Sequence, residues 1–156
     1  MEISFIVPVY NTDYKILRVC INSILHCLQD RHELILVDDA SSSPATTEFL
    51  EKCDANTEFN IHVLWNSENN GVSYSLNKGI AESHGKLISP VDHDDLVWPV
   101  GLNVAMKHQQ YYRHPWLYTD ELQVDENGYL IRYLFKPKYS EKLLQSVMYI
   151  NHLQVF

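Results

Sequence analysis

Apolar runs and amphipathic stretches alternate along the first hundred residues. "ISFIVPVY" (3–10), "ELILVDD" (33–39), "NIHVLWN" (60–66) and "KLISPVD" (86–92) are rich in β-branched and aromatic residues and predict four buried strands. Between the first two, Ile16, Leu17, Cys20, Ile21, Ile24, Leu25 and Leu28 recur at helical spacing. They predict an amphipathic helix over 14–28, with Thr12 or Asp13 as its N-cap. Pro44 suits the first turn of a second helix over 45–53. "VSYSLNKGIAES" (72–83) predicts a third helix, with Gly85 as its C-cap, and Pro99 opens a fourth. "PWLYTDELQVDENGYLIRYLF" (115–135) reads as two short strands joined by a tight turn at Asn127-Gly128.

The strand runs are continuously apolar rather than alternating, the pattern of strands covered on both faces. The fold class expected is therefore α/β: a mostly parallel, Rossmann-like central sheet with helices on both faces and a small β-hairpin near the C-terminus. The 156 residues suit a single domain over 1–156. The last segment, "YSEKLLQSVMYINHLQVF", stops in an apolar run with neither cap nor polar tail. The expectation is that a C-terminal portion is missing.

Composition narrows the partners. Twenty acidic residues against twelve basic ones give a formal charge of −8. No basic stripe is visible, so nucleic acid is not an expected partner. Cys20, Cys27 and Cys53 form no C-x-x-C pair and read as reduced core residues. No apolar run reaches the ~18 residues of a membrane span, and Pro8 breaks the N-terminal run. A cytoplasmic location follows as the expectation, including the cytoplasmic face of a membrane, with any membrane contact supplied by other regions or by partners.

The acids are not scattered. Asp38 and Asp39 close the second strand, and Asp92, Asp94 and Asp95 follow the fourth. In an open α/β sheet, ligands bind beyond the carboxyl ends of the strands. Carboxylates there would repel a bare diphosphate by ~4 kcal/mol per close pair of charges at a surface site. A divalent cation reverses that sign, and Mg²⁺ typically takes one or two carboxylates plus phosphate oxygens and water. The acids therefore point to a metal-bound nucleoside diphosphate, against the plainer reading of a solvated acidic loop. "PVYNTDYK" after the first strand has no glycine. This demotes a sugar nucleotidyltransferase and excludes a Walker A loop and a G-x-G-x-x-G dinucleotide site.

Five blocks carry a family resemblance: "SFIVPVYN" (4–11), "LILVDDASS" (34–42), "NNGVSYSLNKGI" (69–80), "GKLISPVDHDD" (85–95) and "YTDELQVDENG" (118–128). Their order and spacing resemble the nucleotide-binding part of family 2 glycosyltransferases, which have the A-type glycosyltransferase (GT-A) fold. "FKPKYSEKLLQSVMYINHL" (135–153) resembles the branch found in bacterial polysaccharide and O-antigen assembly. The resemblance implies that Pro8, Val9, Tyr10 and Asn11 line a nucleoside pocket. It implies that Asp39, with Asp38 beside it, meets a uracil or thymine edge. Asn77 and Lys78 would face the nucleotide from the start of the helix after Gly71. Asp92 and Asp94 match the DxD motif: Asp94 would contact Mn²⁺ or Mg²⁺, Asp92 the metal or ribose, and Asp95 would support both. Lys136 and His152 would help to hold phosphate or acceptor. His93 is not expected to ligate metal among hard oxygen donors. Tyr10, Trp65 and Trp98 read as core, with only Tyr10 a candidate for base stacking.

The implied activity is inverting, metal-dependent transfer of a sugar from a UDP- or dTDP-sugar to a glycan or lipid-linked acceptor. Family members need a carboxylate base, normally downstream of the last block seen here. Within these residues the weak candidates are Asp120 and Glu121, which the family places on the donor side. The competing reading is a non-catalytic nucleotide-sugar-binding module of a larger polysaccharide synthase.

Overall fold

Every residue of β1 (Ile3–Val9) and of β2 (His32–Asp38) is buried. Such strands need partners at both edges and cover on both faces. A computed structural model describes residues 2–28, 31–112, 116–150 and 153–156, and it supplies both. β1 lies between β2 and β4 (Leu87–Pro90), while β3 (Ile61–Trp65) flanks β2. All three pairings are parallel, in the order β3-β2-β1-β4. The expected α/β class is the one observed.

Chain order then decides the layers. The steps β1 to β2 and β2 to β3 run one way across the sheet, and the step β3 to β4 runs back. Right-handed crossovers therefore put α1 (Tyr14–Leu25) and α2 (Pro44–Asp54) on one face and α3 (Val72–Glu82) on the other. The core follows this division. Phe5, Val7, Leu34 and Leu36 pack with Leu17, Ile21 and Leu50. Ile6, Ile35 and Val37 face the other way, against Leu76 of α3. α4 (Pro99–Tyr112) adds Leu102 to the larger cluster. α3 lies close to the sheet at Gly79, where an added Cβ would come within 2.5 Å of Ile6 Cγ2 and 3.2 Å of Val37 Cγ2.

The caps largely follow the sequence signals. Asp13 Oδ1 accepts the Lys15 amide at 2.7 Å, and Ser43 caps α2 with Pro44 in its first turn. α1 ends earlier than expected, at Leu25, although Leu28 still packs against the core. Gly85 is not a C-cap. Ser83 ends α3 in an extended conformation, and Gly85 marks a close backbone approach instead. Its amide donates to Ser4 Oγ at 2.8 Å and to Glu33 Oε1 at 3.1 Å, and a Cβ there would strike Ser4.

The C-terminal third holds the expected hairpin, β6 (Glu121–Val124) and β7 (Leu130–Leu134). Asp125 Oδ1 accepts the amides of Asn127 and Tyr129, each at 2.9 Å, and Gly128 takes φ +83°. α5 (Glu141–Leu144) follows, capped by Ser140. A second pairing had no local signal: β5 (Leu117–Tyr118) runs antiparallel to β8 (Gln154–Val155). Phe156 and Ile88 exchange both backbone hydrogen bonds, at 2.6 and 3.0 Å, which docks this end of the chain on the outer edge of β4. No helix among the described residues is long and apolar enough to cross a membrane.

Candidate functional site

The reversal of strand order falls between β1 and β4. Such a switch point is where ligands bind in open α/β sheets, beyond the carboxyl ends of the strands. A cleft of about 440 Å³ occupies that place. Pro8, Val9 and Tyr10 form one wall, at the end of β1. Asp39 stands at the end of β2, and Asn69, Gly71, Val72 and Ser75 come from the entry into α3. Asp92, His93 and Asp94, just past β4, complete the lining.

Asp39 organises the second wall. It is almost fully buried. Its Oδ1 accepts Asn66 Nδ2 at 2.8 Å and the Asn70 amide at 3.0 Å, and its Oδ2 accepts the Gly71 amide at 2.8 Å. Burial alone would raise the Asp39 carboxyl, but the hydrogen bonds from Asn70, Asn66 and Gly71 outweigh it and hold the group below its ordinary value. Asn66 Nδ2 also donates to Ser75 Oγ at 3.0 Å, so one carboxylate and one amide tie β2, the β3–α3 loop and α3 together. Gly71 has φ +86° and ψ 165°, a backbone conformation essentially reserved for glycine.

The residues expected at the site divide into two groups. Pro8, Val9, Tyr10, Asp39, Asp92 and Asp94 line the cleft. Asn11, Asp38, Asn77, Lys78 and Asp95 are not part of its lining. Asn11 takes φ +49°, and its Oδ1 accepts the amides of Ser42 and Ser43 at 2.7 and 3.1 Å, joining two loops at the rim. Asp38 is buried and accepts the Ser41 amide at 3.0 Å. Lys78 donates to Trp65 O and Asn66 Oδ1, both at 2.8 Å, bracing the Asp39 loop from behind. α3 begins at Val72, so Asn77 lies beyond the first turn, and Val72 and Ser75 are the residues of that helix that line the cleft. Asp95 closes the acidic turn, its amide donating to Asp92 O at 3.0 Å.

Asp120 and Glu121 belong to a separate cluster at the foot of the hairpin. Asp120 Oδ1 accepts the Lys136 amide at 2.7 Å, and Lys136 Nζ pairs with Glu121 Oε1 at 2.5 Å. The Lys136 side chain is only 7% exposed, so it is no ordinary surface lysine. His152 lies outside the described residues. Tyr10, Trp65 and Trp98 were expected in the core, yet are 48%, 40% and 62% exposed, because each stands at or beyond a strand end where the sheet no longer covers it. Sequence reasoning missed Asn66, Asn69, Val72, Ser75 and His93 as parts of the site. The polar run "WNSENNG" (65–71) was the available signal for the first two.

The lining has three carboxylates and neither lysine nor arginine. Asp92 and Asp94 are exposed, and His93 Nδ1 stays 4.0 Å from Asp94 Oδ1. Among the described residues, no group of three or more histidine, cysteine, aspartate or glutamate side chains converges as a ready metal cage. Two solvent-exposed carboxylates fit a cation that brings phosphate and water as its other ligands, which is the habit of Mg²⁺ rather than of a protein-caged metal.

Residues 4–151 match the sequence pattern of "Glycosyl transferase family 2". The chain belongs to this family. A relative, the O-antigen biosynthesis protein RfbC of Myxococcus xanthus, is 32% identical over 98% of this chain, which spans 12% of that protein. The structure of S. aureus TarS 1–349 in complex with UDP-GlcNAc is similar with a TM-score of 0.70 and 26% identity, over 81% of this chain and 36% of that one. The mannosyltransferase PcManGT from Pyrobaculum calidifontis, in complex with GDP-Man and Mn²⁺, shares the fold at a TM-score of 0.60 and 20% identity, over 73% of this chain and 33% of that one. These 156 family-2 residues thus span well under half the length of each of these relatives.

Proposed function

We propose that these residues form the donor half of a metal-dependent glycosyltransferase. It would transfer a sugar with inversion from a UDP- or dTDP-sugar to a glycan or lipid-linked acceptor in polysaccharide assembly. One observation carries the reading: a cleft at the switch point of the sheet is lined by Asp39 on one side and by Asp92 and Asp94 on the other, with no cation of its own. The likeness to a UDP-GlcNAc-bound structure supports a nucleotide sugar as the ligand.

The roles follow from chemistry. Pro8, Val9 and Tyr10 offer an apolar wall and an exposed ring to the base. Asp39 Oδ2, with a single backbone donor, is the oxygen suited to accept an imide N–H of uracil or thymine. Asp92 and Asp94 would hold Mn²⁺ or Mg²⁺, which supplies charge neutralisation for a diphosphate leaving group. An inverting reaction also needs a carboxylate that takes the acceptor's proton. Asp120 and Glu121 are engaged with Lys136 and do not line the cleft.

Calorimetric titration with UDP, and separately with dTDP, with and without Mn²⁺, tests the reading. Metal-dependent binding is the expected result. No binding to a folded sample in either condition overturns it.

A further inference from the structure

Tyr10 and Asp39 line the cleft from two different strands, and the chain is joined again just outside them. The register of β1 on β2 ends at Val9 and Asp38, where the Asp39 amide donates to Val9 O at 2.8 Å. Two residues further on, the Asn11 amide donates to Ser41 Oγ at 2.9 Å. The Asn11 side chain closes this joint: its Oδ1 accepts the Ser42 amide at 2.7 Å, the Ser43 amide at 3.1 Å and the Ser42 hydroxyl at 3.2 Å. Among the described residues, the non-glycine positions with positive φ are Asn11 at +49° and Ala40 at +60°. Each directly follows a residue that lines the cleft, Tyr10 or Asp39. Asparagine tolerates this left-handed region, whereas alanine adopts it only where its surroundings impose it. Ala40 is so constrained. The Asp39 amide is tied to β1 on one side of it, and the Ser41 amide donates to Asp38 Oδ2 at 3.0 Å on the other.

We propose that Asn11 is a positioning residue for the nucleobase: its carboxamide fastens the loop after β2 to the loop after β1 and so sets the Tyr10 ring against the Asp39 carboxylate. The physical reason is that these groups leave from separate strands, and the ladder that joins the strands has ended. A base whose edge bonds the carboxylate while its face meets the ring reads both positions at once, and hydrogen bonds weaken steeply off line. Asn11 is exposed and fills no core, so its bonds govern the placing of the loops rather than packing. Ser43, one of its donors, caps α2, which anchors the joint to a helix. Asn11 does not line the cleft itself and acts through its neighbours. This inference rests on the proposed donor site.

The test is calorimetric titration of UDP and of ADP, each with Mn²⁺, on the wild-type chain and on Asn11→Gly, Asn11→Asp and Ser41→Ala, with thermal melts of each. The two ligands share ribose, diphosphate and metal and differ in the base. Asn11→Gly permits the left-handed backbone but removes the acceptor. It is expected to weaken UDP roughly tenfold, the weight of one or two hydrogen bonds, and ADP by less than about twofold. Asn11→Asp, which keeps the accepting oxygen, is expected to restore the preference for UDP. Ser41→Ala breaks the companion link and is expected to reduce the preference in the same direction. If wild type prefers UDP, but Asn11→Gly and Ser41→Ala keep that preference in full or lose both ligands equally, the positioning role is overturned and the donor site stands. If the folded wild type shows no metal-dependent UDP binding, or no preference for UDP over ADP, the donor reading falls and the inference with it.

Discussion

The carboxylate of Asp39 accepts the amide of Gly71 at 2.8 Å. This bond joins the end of β2 to the residue that turns the chain into α3, and both partners line the cleft. Gly71 makes it at φ +86°, a left-handed conformation that favours glycine. An added Cβ at Gly71 would meet nothing within 4 Å, so Gly71→Ala introduces backbone strain and no clash. The expected loss is about 1–3 kcal/mol in urea unfolding. UDP affinity is expected to fall with it, because the strain is relieved by moving the amide off Asp39. Unchanged affinity in a destabilised variant would separate the bond from the site.

Asp39 also sets an acid limit on stability. Its carboxyl is held below the ordinary value by donors from Asn70, Asn66 and Gly71, against the effect of burial. A depressed folded value means that its contribution is complete above the unfolded value of ~3.9 and is lost as pH falls through the folded value. Melting temperature in the wild type should therefore drop below about pH 4. Asp39→Asn keeps one accepting oxygen but turns an NH₂ toward at least one of the three N–H donors, at a cost of roughly 1–3 kcal/mol near neutrality. It should also flatten the acid limb, and melts from pH 3 to 7 compare the two slopes.

Asp94 behaves differently because its side chain is 63% exposed. Asp94→Asn is expected to change stability by less than about 0.5 kcal/mol, as exposed substitutions do. It should nonetheless weaken Mn²⁺-dependent UDP binding by at least about tenfold, through the loss of one charged ligand. Parallel melts and titrations check this; equal loss of both would remove Asp94 from the cation site.

The amino end of the sheet holds a buried acid of another kind. Ser4 and Glu33 are register partners on β1 and β2, nearly or fully inaccessible, with Ser4 Oγ donating to Glu33 Oε1 at 2.5 Å. The His84 and Gly85 amides donate to the same oxygen at 2.5 and 3.1 Å. Gly85→Ala drives a Cβ into the Ser4 backbone, 2.5 Å from its nitrogen. The strand itself would have to move, so a loss above about 3 kcal/mol is expected. Chemical denaturation measures it, and a loss under ~1 kcal/mol would mean that the approach is not as tight as drawn.

Much of this protein was readable from local pattern. A buried parallel strand must be apolar throughout, so "SFIVPV" and "LILV" announced β1 and β2. Strand-end acids announced the edge where the cleft opens, and Asp39, Asp92 and Asp94 do line it. Asn127-Gly128 announced a turn that Asp125 then shapes with its own carboxylate. Each of these signals lies within a few residues of what it governs.

What the tertiary structure alone decided depends on contacts between distant parts of the chain. Gly85 read as a helix cap because glycine often ends helices; its role is to let the loop pass against Ser4, 81 positions earlier. Lys78 read as a nucleotide contact; the strand order puts the end of β3 beside it and gives it hydrogen bonds to Trp65 O and Asn66 Oδ1. Asn66 and Ser75 joined the site because the fold sets Asn66 between Asp39 and Ser75, its Nδ2 donating to both. The pairing of β5 with β8 has no signature in two-residue strands. Local sequence fixes periodicity, caps and turns because these depend on neighbours along the chain. Which buried carboxylate meets which amide depends on the order and hand of the crossovers, and only the folded sheet brings those groups together.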